Sequence, residues 1–125
     1  MKRRKSEEKI KRERTESILK EIIPEAMSSL ADERLHGIGV IDVKCSKGRS
    51  DAKVYLDPSF IYDDEKDAIV QQLTKARKVI ERYCATEQGW FRTPKLSFTF
   101  DDTLEYETKM EQLFKKIEKD LNSSE

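Results

Sequence analysis

The sequence predicts an α+β fold in one domain, ordered helix, strand, strand, helix, strand, helix, with three strands in one sheet and the helices packed on one face. Three observations predict it. Apolar residues recur at helical spacing in three separate stretches, a hairpin pattern lies between the first two, and Leu96, Phe98 and Phe100 alternate with Ser97 and Thr99 just before the third. A chain of 125 residues buries roughly two thirds of its unfolded surface as one domain, so no second core is needed.

The first helix is expected between about residues 11 and 31, where Ile18, Leu19, Ile22, Ile23, Ala26, Met27 and Leu30 form a broad stripe, with a kink at Pro24. Thr15 or Ser17 is an alternative cap for a shorter helix. His36, Gly37 and Gly39 end that pattern. Ile38, Val40, Ile41 and Val43 then form a β-branched run to Cys45, Lys47-Gly48-Arg49 supplies a turn, and Ala52, Val54 and Leu56 alternate with Lys53, Tyr55 and Asp57. Pro58 stops this second strand. A second long helix is expected from Asp63 or Asp64 to about Cys84, its acidic start suited to the helix dipole and its buried side marked by Ile69, Leu73, Ala76, Ile80 and Tyr83. Residues Ala85 to Thr93 read as an irregular link. The third strand starts after Pro94, and Asp102, with Glu105 three residues on, caps a last helix whose buried face is Tyr106, Met110, Leu113, Phe114, Ile117 and Leu121.

The chain is 36% hydrophobic and 40% charged with a net charge of zero, so its overall balance points to no partner. The distribution is more telling. Lys2, Arg3, Arg4, Lys5, Lys9, Lys11, Arg12 and Arg14 against Glu7, Glu8 and Glu13 give the first fourteen residues a net charge of +5. Residues 1 to 9 read as a basic flexible tail, 10 to 121 as the folded domain and 122 to 125 as a short polar tail. Cys45 and Cys84 lack metal or redox spacing, which suits a reduced cytoplasmic protein, and no apolar run has the length of a signal core or membrane span.

Taken together, the segments RTESILKEIIPEAM, ADERLHGIGVIDVKCS, DAKVYLD and PKLSFTFDDTLEYETKMEQLF resemble, in order and spacing, the ribosome-binding factor A family of bacterial small-subunit assembly factors. The likeness covers roughly residues 10 to 118. It implies a KH-like fold, with which the element order, a helix before the hairpin, is compatible as type II. It also implies binding to the immature 30S subunit and its 16S rRNA, a role in late maturation of the 5′ end of that rRNA, and no catalytic activity. The family usually bends its long helix at an Ala-x-Gly element, whereas this chain has Ala76-Arg77-Lys78, followed by Glu81 where the family pattern has arginine. The missing glycine leaves the bend open, because lysine pays a steric cost in backbone geometries that glycine adopts freely.

Lysine and arginine bind RNA by displacing counterions from phosphates. The candidate rRNA-binding residues are therefore Lys2, Arg3, Arg4, Lys5, Lys9, Lys11, Arg12 and Arg14 of the basic start, and Lys75, Arg77, Lys78 and Arg82 of the second helix. Lys47 and Arg49 in the turn, and Arg92 and Lys95 before the third strand, are weaker candidates. Trp90 and Phe91 beside Arg92 could form a base-stacking platform, but large aromatics contribute much to small cores and burial is the expectation. A G-x-x-G nucleotide clamp is missing, which favours recognition of RNA shape and phosphates.

The sequence holds no recognisable catalytic constellation and calls for no cofactor or metal. His36, the sole histidine, sits in a loop; Asp101 and Asp102 are explained by the strand-to-helix step; neither cysteine has a histidine at suggestive spacing. The partners expected are the 30S subunit and 16S rRNA, with no membrane, bound by a monomer. A protein-interaction adaptor that uses the last helix as ligand for a partner groove, without direct RNA binding, is the alternative.

Overall fold

The computed structural model describes residues 2–101, with residues 2–6 described as helix backbone only. The expected last helix, with its cap at Asp102 and Glu105, lies outside the described residues. Helix α1 spans Lys2–Ser28, strand β1 Val40–Cys45, β2 Asp51–Leu56, helix α2 Asp63–Lys75, α3 Arg77–Gln88 and β3 Lys95–Phe100; a short 3-10 turn at Glu33–Leu35 links α1 to β1. The described architecture is thus α+β, three helices with a three-stranded mixed sheet.

Helix α1 begins about nine residues before the expected start and takes in the segment read as tail. Lys, Arg and Glu are good helix formers, and pairs one turn apart such as Glu8 with Arg12, at 3.6 Å, support the extension. The hairpin also holds it in place. Glu16 accepts a hydrogen bond from the Cys45 N–H at 2.8 Å, and Glu8 one from the Gly48 N–H at 3.3 Å. Thr15 is consequently no cap: it is buried within the helix, its hydroxyl donating to the Lys11 carbonyl at 2.9 Å. Leu19, Ile22, Ile23, Ala26 and Met27 form the buried face, as the stripe predicts, and α1 runs on through Pro24 to Ser28.

The sheet order is β1-β2-β3. β1 pairs antiparallel with β2, with an irregularity between Val40 and Asp42, and β2 pairs parallel with β3 from Asp51↔Lys95 to Leu56↔Phe100. A parallel pair needs a crossover that passes over the sheet, here α2 and α3. Ala52, Val54 and Leu56 of β2 and Leu96, Phe98 and Phe100 of β3 point into the core, where they meet the buried faces of the helices, including Ile69, Leu73, Ile80 and Cys84.

The single long helix expected from Asp63 to Cys84 is two helices. Helical geometry is interrupted at Ala76, which has φ −85° and ψ 1°. This is negative-φ backbone that any L-residue adopts, so the break needs no glycine, and Lys78 stands within regular helix α3. α3 also runs past the expected end to Gln88. Gly89 then turns left-handed at φ 66°, and the Trp90 N–H reaches back to the Ala85 carbonyl at 2.9 Å, a helix stop that glycine makes without strain.

Both thiols are shielded. Burial pushes the Cys84 thiol up to about 12, and burial with the nearby Glu16 carboxylate pushes Cys45 to about 11, from an ordinary value of 9.0. A raised folded-state pKa leaves its stability contribution intact below the unfolded value and removes it as pH rises towards the folded one. Stability is therefore expected to fall from about pH 9 upward, and Cys84→Val to remove part of that loss in urea titrations at pH 8 and 10. An unchanged alkaline loss in the variant would exclude the thiol as its source.

Candidate nucleic-acid interface

The parallel register of β2 and β3 decides where the basic residues meet. β3 starts beside the start of β2, immediately after the hairpin turn, and the Lys95 N–H donates to the Ser50 carbonyl at 3.0 Å. The segment leading into β3 therefore lies against the hairpin tip. Two adjoining grooves result. One is lined by Arg49 of the turn with Trp90, Phe91, Arg92 and Pro94, the other by Arg77 and Arg82 of α3 with Phe91, Arg92 and Lys95. Phe91 and Arg92 belong to both.

Three of the four weaker candidates, Arg49, Arg92 and Lys95, thus join Arg77 and Arg82 in one basic surface. Lys47 is exposed on the same turn. Lys78 is exposed one helical turn before Arg82, and Lys75 is exposed on the far side of the Ala76 break; neither lines the two grooves. On α1, Lys9, Lys11 and Arg14 are exposed, while half-buried Arg12 is engaged by Glu8. Lys2, Arg3, Arg4 and Lys5 belong to the helix, whose axis passes the hairpin tip through the Glu8–Gly48 contact.

Arg77 differs from its neighbours. It is largely covered and lies 3.5 Å from Glu81, whose carboxylate also accepts the Leu96 N–H at 3.0 Å. The Glu81 carbonyl accepts the Thr93 hydroxyl at 2.6 Å. Glu81 thereby ties α3 to both the approach and the start of β3, and Arg77 helps to hold that carboxylate in place. Its value as a phosphate ligand is correspondingly lower. Glu81→Ala is expected to cost about 1–3 kcal/mol, because the buried Leu96 N–H loses its acceptor, while Glu81→Gln keeps an acceptor and costs less. Urea denaturation of the two variants checks the order.

Phe91 overturns its expected burial. Trp90 does pack against the core, half-buried, but Phe91 is 99% exposed. The two neighbours point apart because the chain leaves α3 through a left-handed glycine, which seats Trp90 against the domain and turns the next residue outward. Sequence reasoning missed this because hydrophobicity is the same signal for a core residue and for an exposed aromatic. Arg92 directly after Phe91 was the hint available.

Among the remaining candidates for chemistry, His36 has a structural explanation. His36 donates from Nε2 to the Leu30 carbonyl at 2.6 Å and closes the loop after α1. Among the described residues no group of His, Cys, Asp and Glu could hold a metal ion, and no helix is long and apolar enough to cross a membrane.

A family model described as ribosome-binding factor A matches residues 11–114. The ribosome-binding factor A of Campylobacter jejuni subsp. jejuni serotype O:6 is 53% identical over 115 residues, which span 92% of this chain and 96% of that protein. Its counterpart from Wolinella succinogenes is 43% identical over 117 residues, spanning 94% and 98%. Among solved structures, the crystal structure of ribosome-binding factor A from Thermus thermophilus is similar with a TM-score of 0.60 and 26% identity, over 70% of this chain and 93% of that one. A Thermus thermophilus ribosome-binding factor A homology model, fitted into a cryo-EM map of a 30S complex, is similar with a TM-score of 0.56 and 26% identity, over 66% and 87%.

Proposed function

Because the chain belongs to the ribosome-binding factor A family, we propose that it binds the immature 30S ribosomal subunit and its 16S rRNA and assists late maturation, including processing of the 16S rRNA 5′ end. It does so as a cytoplasmic monomer with a KH-like, type II domain and without catalysis. The observation that carries this reading is the basic surface shared by the hairpin tip, the approach to β3 and helix α3. A related protein has been fitted into a 30S complex, which supports the choice of partner.

The mechanism is electrostatic clamping. Arg49, Arg82, Arg92 and Lys95, with Lys47 and Lys78 at the margin, grip rRNA phosphates, and α1 extends the contact through Lys9, Lys11 and Arg14 and through Lys2, Arg3, Arg4 and Lys5. Lys75 contributes from the other side of the α2–α3 break. The folded body then holds neighbouring rRNA in a maturation-competent position and leaves before translation.

Sedimentation of the full chain with isolated small subunits over a salt series tests this. Association at low salt that declines steeply as salt rises is expected. No association at low salt would sink the function, and association indifferent to salt would favour an apolar adaptor contact instead.

A further inference from the structure

Resting on the RNA-binding reading above, we infer that Phe91 is a stacking platform for an unpaired RNA base, with Arg49 on one side, Arg82 and Lys95 on the other and Arg92 shared by both, holding the flanking phosphates. An exposed phenyl ring forgoes roughly 2 kcal/mol that burial would have contributed and leaves its aromatic face open to a ligand. Phe91 is 99% exposed and lies where the two basic grooves meet.

The ring is carried on a short anchored segment. Before it, Gly89 caps α3 and Trp90 packs against the core; after it, the Thr93 hydroxyl is bonded to the Glu81 carbonyl and Pro94 is buried. Little conformational freedom of the backbone is left to lose on binding, which is what a stacking site needs. The surrounding charge selects the occupant. Arginines and a lysine flank the ring, and the groove's acidic residue, Glu81, is engaged by Leu96 and Arg77. Such a setting suits a polyanion with an accessible aromatic face. Double-stranded RNA keeps its base faces stacked, so the partner is a single-stranded or bulged segment.

The test uses the full-length protein and an unstructured RNA of about ten nucleotides carrying one 2-aminopurine, beside a blunt-ended two-strand RNA duplex without unpaired bases. Phe91→Ala is expected to weaken single-strand binding roughly 5- to 100-fold and abolish 2-aminopurine quenching, with little effect on the duplex and on the salt slope. Phe91→Trp should retain both affinity and quenching. Arg92→Ala should instead lower the salt slope by about 0.7, as loss of one phosphate contact does for single strands. Unchanged single-strand affinity in Phe91→Ala overturns the inference, as does an equal loss on duplex RNA. A loss confined to small subunits, with RNA affinity intact, would make Phe91 a contact for protein and overturn it too. Failure of the unmodified protein to sediment with small subunits would count against the proposed function and leave the stacking result to stand on its own.

Discussion

Replacing Arg49, Arg82, Arg92 and Lys95 together by alanine is expected to weaken association with small ribosomal subunits by roughly a hundredfold near physiological salt. The slope of log affinity against log salt should flatten by about three, since each lost phosphate contact removes about 0.7 to 0.9. These four residues come from three separated parts of the chain and meet only because β3 pairs parallel with β2. Neutralising Lys20 and Lys44, which lie on α1 and β1 and line neither groove, removes charge from elsewhere and should leave the slope almost unchanged. Equal loss per charge removed in both variants would mean that net charge, and not this surface, governs binding. Circular dichroism separates lost binding from lost folding, because exposed charge substitutions ordinarily shift stability by no more than about 0.5 kcal/mol.

Leu73→Ala is expected to destabilise the domain by about 2–5 kcal/mol, a large part of the 5–15 kcal/mol that holds a typical domain together. Leu73 is fully buried in the last turn of α2, and Ile80, also fully buried, follows just beyond the break at Ala76. The two residues seat both halves of the crossover on the core, so their packing can sustain the break without a glycine. Calorimetry should show a melting temperature lower by roughly 10 °C or more. A change below about 1 kcal/mol would mean that α2 does not rest on Leu73. Lys78→Ala, at an exposed site on α3, serves as the reference and should be near neutral.

Ala76 is followed by Arg77 and Lys78 and not by glycine, yet the helix breaks there, and Glu81 follows on α3. That glutamate works inward, holding the Leu96 N–H and Arg77, so the position contributes to the architecture of the groove rather than to its charge. The exposed cations of the grooves come from the turn, from Arg82 of α3 and from the approach to β3.

Much of the fold was legible from local pattern. Period-two alternation identifies β2 and β3, the Lys47-Gly48-Arg49 turn joins the hairpin, and the stripe from Leu19 to Met27 marks the buried face of α1. These features are written in short-range spacing, because side-chain direction repeats every two residues in a strand and every 3.6 in a helix. The start of α1 was less legible. A segment of Lys, Arg and Glu without apolar residues reads as solvated tail, and only Glu8 and Glu16 reaching the hairpin show why the helix continues.

By itself, then, the sequence determined the three strands and the helices before and between them, though not the break that divides the second, the buried faces of α1, β2 and β3, and the family, all of which rest on spacing along the chain. The tertiary structure alone decided that Arg49 stands with Arg92, Lys95 and Arg82, that the crossover breaks at an alanine, and that Phe91 faces water while Trp90 packs inward. The physical reason is common to all three. Each depends on strand register, on the packing of helices against the sheet or on a single left-handed glycine, and these bring together or separate residues whose distance in sequence carries no sign of it.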